Sequence, residues 1–301
     1  MVKTSLSVAV IGAGLIGTSW AALFAAVGGH AVRVFDPSPA ARAEVAARAA
    51  VMTGQLAALH EVTGSAPVVC DSLAEACSGA VLIQENAPER LDLKRALYAE
   101  IEAAAAADAI IASSTSALVW SDLARDLAQP RRFVTAHPFN PLHLMPLVEL
   151  FGTDPAVLER AKQFYAALGR VPVVLKREAA GHIAGRLSAA LWREAVALVA
   201  DGVATVEDVD RALVNGPGLR WAVVGPHMGY HLGGGDGGMA SYLETLGPSQ
   251  ERRWASLGTP ALTPEVRATL VAGIAEEAAG RSVGELAAAR DRATIAILKS
   301  L

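Results

Sequence analysis

The sequence predicts an α/β fold, a Rossmann-type doubly wound sheet followed by an all-helical C-terminal region. Three features carry that reading. Short runs rich in Val, Ile and Ala alternate with longer helical stretches through the first 175 residues, the pattern of strands buried on both faces of a largely parallel sheet. The first run leads directly into a glycine-rich turn that opens a helix. After about residue 178 the strand pattern ends and only a helical period remains. The domains are therefore expected at 1–178 and 179–301.

In chain order the expected strands are Ser5–Ile11, Ala31–Asp36, Pro67–Cys70, Ala80–Gln84, Ala109–Ala112, Arg132–Ala136, Met145–Leu150 and Val171–Leu175. The stretch Met1–Ile11 as a whole reads as a short strand with one lysine ahead of it and no cleavable leader pattern. Between the strands lie helical stretches at Leu15–Val27, Ala40–Leu59, Glu89–Ala106 and Pro155–Leu168. In the second half, Ala179–Gly202 places Ile183, Leu187, Leu191, Ala195 and Leu198 on one stripe. Thr205, with Asp208 three residues on, is a suitable N-cap for Val206–Val214. Pro264–Ala278 and Val283–Leu298 are the last two helices, and Gly233–Gly238 reads as a glycine-rich loop, either a lid or a linker.

The composition narrows the function. A chain of 301 residues, 52% hydrophobic and 19% charged with a net charge of −4, has neither the composition of a disordered protein nor a basic surface for nucleic acid. Its apolar runs, such as 101–112 and 195–204, contain or adjoin charge and fall short of the roughly 20 residues that cross a bilayer. Cys70 and Cys77 form neither a disulfide framework nor a metal-ligand spacing, as expected of reduced thiols in a cytoplasmic protein. His143, His182, His227 and His231 match no ligand motif either, so no metal is expected.

Residues 8–17 read V-A-V-I-G-A-G-L-I-G. This is G-x-G-x-x-G between a strand and a helix, the setting in which the motif binds a dinucleotide. Gly12 permits the tight turn, Gly14 lets the backbone approach a pyrophosphate, and Gly17 lets helix and strand pack closely. The turn and the first helical residues, Leu15 and Ile16, then offer unpaired amides to the phosphates. A second strand ends in Asp36, 22 residues after Gly14. An acid there accepts from the ribose hydroxyls and repels a 2′-phosphate, so the expected cofactor is NAD, with Arg33 poorly placed to rescue NADP.

Two further strand ends carry polar clusters. Residues 109–116 read A-I-I-A-S-S-T-S, and residues 132–149 read R-F-V-T-A-H-P-F-N-P-L-H-L-M-P-L-V-E. Alcohol oxidation without a metal needs a base of near-neutral pKa, which points to His137. Glu149 on the next strand can fix the tautomer of that histidine. Ser116 and Asn140 are neutral donors for a substrate oxygen.

With these motifs in hand, the chain resembles the L-3-hydroxyacyl-CoA dehydrogenase superfamily, through G-A-G-L-I-G, S-S-T-S, H-P-F-N-P and P-L-V-E in this order. It is more similar still to the branch of lambda-crystallin, L-gulonate 3-dehydrogenase and L-carnitine dehydrogenase. That likeness rests on Ile83–Arg90 (I-Q-E-N-A-P-E-R), Ser113–Ser116, Gly218–Ala222 (G-L-R-W-A) and the tail Arg290–Ser300. The resemblance implies His137 and Glu149 as the catalytic pair, Ser116 and Asn140 as ligands of the substrate oxygen, and Glu89 near the nicotinamide half of the cofactor. One departure stands out. Acyl-CoA members carry Asn in a G-F-x-x-N-R string, where this chain reads Gly181-His182-Ile183-Ala184-Gly185-Arg186. Gly185 enlarges the pocket locally and removes a substrate contact.

The expected substrate is a small free 3-hydroxy acid, gulonate-like or carnitine-like. Ala40–Leu59 has only Arg42 and Arg48 as cations to meet the phosphates of CoA, whereas Arg220 in G-L-R-W-A can grip a carboxylate. Trp221, with Trp192, Tyr230 and Trp254, can either contact a quaternary ammonium or simply pack. The alternatives are a 3-hydroxyacyl-CoA dehydrogenase and a catalytically silent, crystallin-like NAD-binding protein. A homodimer is expected, because about 120 helical residues must bury apolar faces such as the Ile183–Leu198 stripe.

Overall fold

The structure, a computed structural model, describes residues 5–301; the part of the expected N-terminal strand on residues 1–4 lies outside them. All eight expected strands are present, with ends moved by up to two residues: β1 (Ser7–Ile11), β2 (Ala31–Phe35), β3 (Val68–Val69), β4 (Leu82–Glu85), β5 (Ile110–Ser113), β6 (Phe133–Pro138), β7 (Leu147–Phe151) and β8 (Val171–Val174). They form one sheet of order β3-β2-β1-β4-β5-β6-β7-β8. Every pair is parallel except β6–β7, which is antiparallel.

Helices cover both faces. They are α1 (Leu15–Ala26), α2 (Pro39–Leu56), α3 (Leu73–Cys77), α4 (Leu91–Ala104), α5 (Trp120–Leu123) and α6 (Pro155–Ala167). Alternation along β1 shows why both faces need cover: Val8 and Val10 join one apolar layer, Ala9 and Ile11 the other. The first layer holds Trp20, stacked on Phe24 with ring centroids 5.0 Å apart. The second holds Tyr98 against Phe133 at 4.9 Å. Burial of each large side chain of this kind stabilises the fold by about 1.5–3 kcal/mol.

Beyond β8 come α7 (Ala184–Ala200), α8 (Val206–Asn215), α9 (Pro217–Trp221), α10 (Pro226–Gly233), α11 (Gly238–Ala255), α12 (Pro264–Ala278) and α13 (Val283–Leu298). The chain divides into two compact units, one of Met1–Arg186 with Asp291–Ser300, the other essentially Leu187–Arg290. The first unit carries the whole sheet, and both α7 and α13 run across the divide.

Three sequence expectations need correction. Ala179–Gly202 becomes helical only at Ala184, because Gly181 and His182 both adopt left-handed backbone (φ 77° and 50°). Within the single chain Ile183, Leu187 and Leu191 of the expected stripe are exposed, Ala195 and Leu198 are half-buried, and the buried residues of α7 are Val196, Ala197 and Val199. The glycine-rich stretch 233–238 is no open loop but a short 3₁₀ turn, Gly235–Gly237, between α10 and α11. Among the described residues no helix is long and apolar enough to cross a membrane.

Candidate active site

The strand order reverses between β1 and β4, where an open α/β sheet leaves a crevice at its carboxyl ends. Gly12 closes β1 with φ +95° and donates its amide to Phe35 O at 2.8 Å. A Cβ on Gly12 would lie 2.8 Å from Asn86 O, and one on Gly17 would lie 1.8 Å from Gly12 O. Gly14 has open space where a side chain would stand. It is also the N-cap of α1, with no side chain capping the helix, so the first amides, from Leu15 and Ile16 on, have a partial positive charge to offer an anion.

Asp36 accepts from Ala13 N at 2.7 Å through Oδ2 and from Ser38 N at 2.8 Å through Oδ1. Gly12, Gly14, Asp36, Asn86, Ala87 and Arg90 line a cleft of about 910 Å³. The basic residues nearby have partners: Arg90, in the wall of the cleft, donates to Asp92 Oδ2 at 2.9 Å. Arg33 donates to Glu75 O at 2.9 Å and Ser7 Oγ at 2.8 Å, and Arg42 donates to Asp36 O at 2.6 Å. A glycine turn with room for a pyrophosphate, an uncapped helix and an acid at the end of the second strand fit the dinucleotide NAD.

Glu89 lies in the segment between β4 and α4 and does a job the sequence did not reveal. Its Oε1 accepts from Thr115 Oγ1 (2.6 Å), Ser116 N (2.8 Å) and Ala117 N (2.8 Å), gathering the loop after β5 around one oxygen. Burial would raise its pKa, but these bonds and nearby Lys94 outweigh it and hold the carboxyl below the usual carboxylate range. Behind it, Lys94 donates to Glu85 Oε1 at 2.8 Å, and Tyr98 and Ser113 donate to Glu85 Oε2 at 2.7 Å each. All four are buried. Ser116 itself is exposed on the loop so held.

His137 and Glu149 are register partners on the antiparallel pair β6–β7. Directly opposed residues send their side chains to the same face, and His137 Nδ1 lies 2.9 Å from Glu149 Oε2. The other oxygen, Oε1, accepts from Ile183 N (2.8 Å) and Ala184 N (3.0 Å) at the start of α7. Glu149 is 1% exposed. Burial pushes its pKa up, yet the His137 bond and the two amides pull harder, and the carboxyl stays below its ordinary range.

The structure thus brings together His137 and Glu149, and separately Ser116 and Glu89. Asn140 is exposed on the segment joining β6 to β7. Gly185 sits in the first turn of α7 with open space around it. Arg220 and Trp221 end α9 in the second unit, both exposed. Sequence reasoning missed His182, whose ring stacks on His137 with centroids 4.7 Å apart and planes 19° apart. It weighed that histidine only as a metal ligand. The signal that points to it is the Gly-His pair in a string where the acyl-CoA members have Gly-Phe. Cys70 and Cys77 are buried free thiols, and burial pushes Cys77 up to about 11.

The family model for the 3-hydroxyacyl-CoA dehydrogenase NAD binding domain matches residues 7–179, and the model for the C-terminal domain of that enzyme matches residues 181–261. The chain belongs to the 3-hydroxyacyl-CoA dehydrogenase family. It is 44% identical over 299 residues to an L-carnitine dehydrogenase of Streptomyces griseus, covering 97% of this chain and 89% of that one. An L-carnitine dehydrogenase of Bacillus cereus is 42% identical, covering 100% of this chain and 94% of its own. Among solved structures, it is similar to 5-formyl-3-hydroxy-2-methylpyridine 4-carboxylic acid 5-dehydrogenase, an NAD+-dependent dismutase. That match has a TM-score of 0.80 and 28% identity, covering 98% of this chain and 99% of the other. This family member is accordingly an NAD-dependent dehydrogenase of the 3-hydroxy acid type, which sets aside the reading as a catalytically silent structural protein.

Proposed function

We propose that the protein oxidises the 3-hydroxyl of a small free 3-hydroxycarboxylate, carnitine-like before gulonate-like, with His137 as the base. The observation that carries this reading is the 2.9 Å bond between His137 Nδ1 and Glu149 Oε2. A carboxylate on Nδ1 makes that nitrogen the donor and leaves Nε2 basic. Bound NAD supplies the hydride acceptor. His137 Nε2 takes the hydroxyl proton, and the Glu149 carboxylate, kept ionised by the α7 amides, opposes the charge that forms on the imidazolium. Ser116 and Asn140 hold the substrate oxygen, and Gly12, Gly14, Leu15, Ile16, Gly17 and Asp36 hold the cofactor, with Glu89 shaping the Ser116 loop beside it.

The carnitine-like choice is supported by L-carnitine dehydrogenase relatives at 40–44% identity. The gulonate-like choice rests on the sequence resemblance alone. In this reading residues 1–178 form the cofactor domain and 179–301 the substrate and dimerisation domain of a cytoplasmic homodimer. Arg220 grips the substrate carboxylate, Trp221 contacts its other end, and Gly185 leaves room. The test is a panel with NAD: L-carnitine, L-gulonate, L-3-hydroxybutyrate and its CoA thioester. A free acid, L-carnitine first, should give the highest kcat/KM. A thioester preferred tenfold, about 1.4 kcal/mol of transition-state stabilisation, would overturn the reading in favour of an acyl-CoA substrate.

A further inference from the structure

His182 stacks on His137 and directly precedes the two amides that bind Glu149. Its ring lies parallel to the His137 ring, centroids 4.7 Å apart and planes 19° apart. Its backbone, at φ +50°, completes the left-handed step begun at Gly181, and the next two amides, of Ile183 and Ala184, are the ones that bind Glu149 Oε1. Histidine enters the left-handed region more readily than most non-glycine residues. The side chain is 3% exposed, so it covers one face of the His137 ring against water. A small cavity of about 10 Å³ adjoins it, lined also by Thr135, Leu175 and Glu178. Two buried polar atoms without a hydrogen-bond partner among the described residues, Thr135 Oγ1 and His182 Nδ1, belong to residues lining this cavity.

We infer that His182 is a positioning residue for His137: it fixes the plane of the imidazole and keeps water from one face of it. The inference rests on the reading of His137 as the base. The ionisable groups facing His182 are His137 on β6, Glu149 on β7, Glu89 ahead of α4 and Glu178 after β8. Burial lowers the His182 pKa and the adjacent His137 lowers it further, against the raising effect of Glu149, Glu89 and the Ser116 backbone. The stacked ring is therefore neutral at neutral pH and adds no second positive charge when His137 takes a proton. The packing against His137 is made by the flat ring, which a phenylalanine keeps although it loses the bond to the Ser116 backbone.

The test compares the full-length protein with His182→Ala and His182→Phe in two ways. One is the pH profile of kcat with L-carnitine and NAD. The other is NMR titration of the histidine-labelled proteins, which follows the His137 ring whether or not it is the base. His182→Ala should lower kcat about tenfold or more and leave KM for NAD unchanged. Water then solvates the His137 imidazolium better, so its titration and the acid limb of kcat should both move to higher pH. His182→Phe should restore kcat and return both midpoints towards those of the parent. If neither variant moves the His137 titration, or if Phe is as damaging as Ala in both measurements, the inference is overturned. Should His182→Ala not fold, the Phe variant still decides, because a tenfold loss of kcat or a shifted titration in it contradicts the proposed task. A His137→Gln variant with normal kcat would instead sink the reading of the base, leaving the NMR result to stand alone.

Discussion

Asp36 Oδ2 accepts the Ala13 amide at 2.7 Å, so the acid that ends the second strand region also braces the glycine turn. The residue proposed to select the ribose is thus part of the scaffold that shapes the phosphate site. Asp36→Asn keeps an acceptor for Ala13 but loses the charge. It should raise KM for NAD and increase the NADP/NAD ratio of kcat/KM while the protein still folds. Asp36→Ala should do both and lower the thermal midpoint as well, since two amides lose their acceptor. An unaltered protein that prefers NADP would contradict this account of the cleft.

The glycines separate folding from binding. A methyl group at Gly17 would sit 1.8 Å from Gly12 O, a backbone atom, whereas one at Gly14 meets nothing within 4 Å. Gly17→Ala should therefore be expressed poorly or melt well below the parent. Gly14→Ala should fold normally and lose NAD affinity. Circular dichroism and fluorescence titration with NADH distinguish the two, and equal NAD affinity in Gly14→Ala and the parent would contradict the phosphate site.

The strands were legible in the sequence because a doubly covered parallel sheet writes itself as continuous Val, Ile and Ala runs. The glycine turn was legible because its spacing is local. What was not legible came from two sources. Helices α9, α10 and α11 lie in a stretch dense in Gly and Pro, where the sequence marked out no individual helix. Yet Pro217 and Pro226 stand in the first turns of α9 and α10, where a missing N–H costs nothing. The stacking of His182 on His137 and the hold of Glu89 on the Ser116 loop join residues 45 and 27 positions apart. Only the folded sheet brings them together, and no periodicity announces them.

The Glu149 carboxyl gives a pH prediction with a definite sign. Its folded pKa lies below the unfolded value of about 4.3. Its contribution to stability is therefore complete above about pH 4.3 and is lost as pH falls through the lower, folded value. Glu149→Gln should be less stable than the parent by about 1–2 kcal/mol at neutral pH, and the gap should close on acidification. Urea unfolding midpoints at a series of pH values below about 4.3 check this; a gap that widens over that range would contradict it.

Lys94 and Glu85, 1% and 0% exposed, form a buried pair 2.8 Å apart. Lys94→Met removes the ion-pair partner of the buried Glu85 and should cost about 3–5 kcal/mol. The double variant Lys94→Met, Glu85→Leu should regain part of that loss. Urea titration of the two variants tests it, and a single variant as stable as the parent would show that the pair is not needed to hold the segment carrying Glu89.

The central claim is that His137 takes the proton from the substrate hydroxyl. Its most direct test is kcat of His137→Gln with L-carnitine, measured beside the Kd for NAD of the same preparation. The account predicts a fall in kcat of about 10²–10⁴-fold with the Kd for NAD unchanged. A His137→Gln enzyme that binds NAD normally and turns over at close to the parent rate would contradict it.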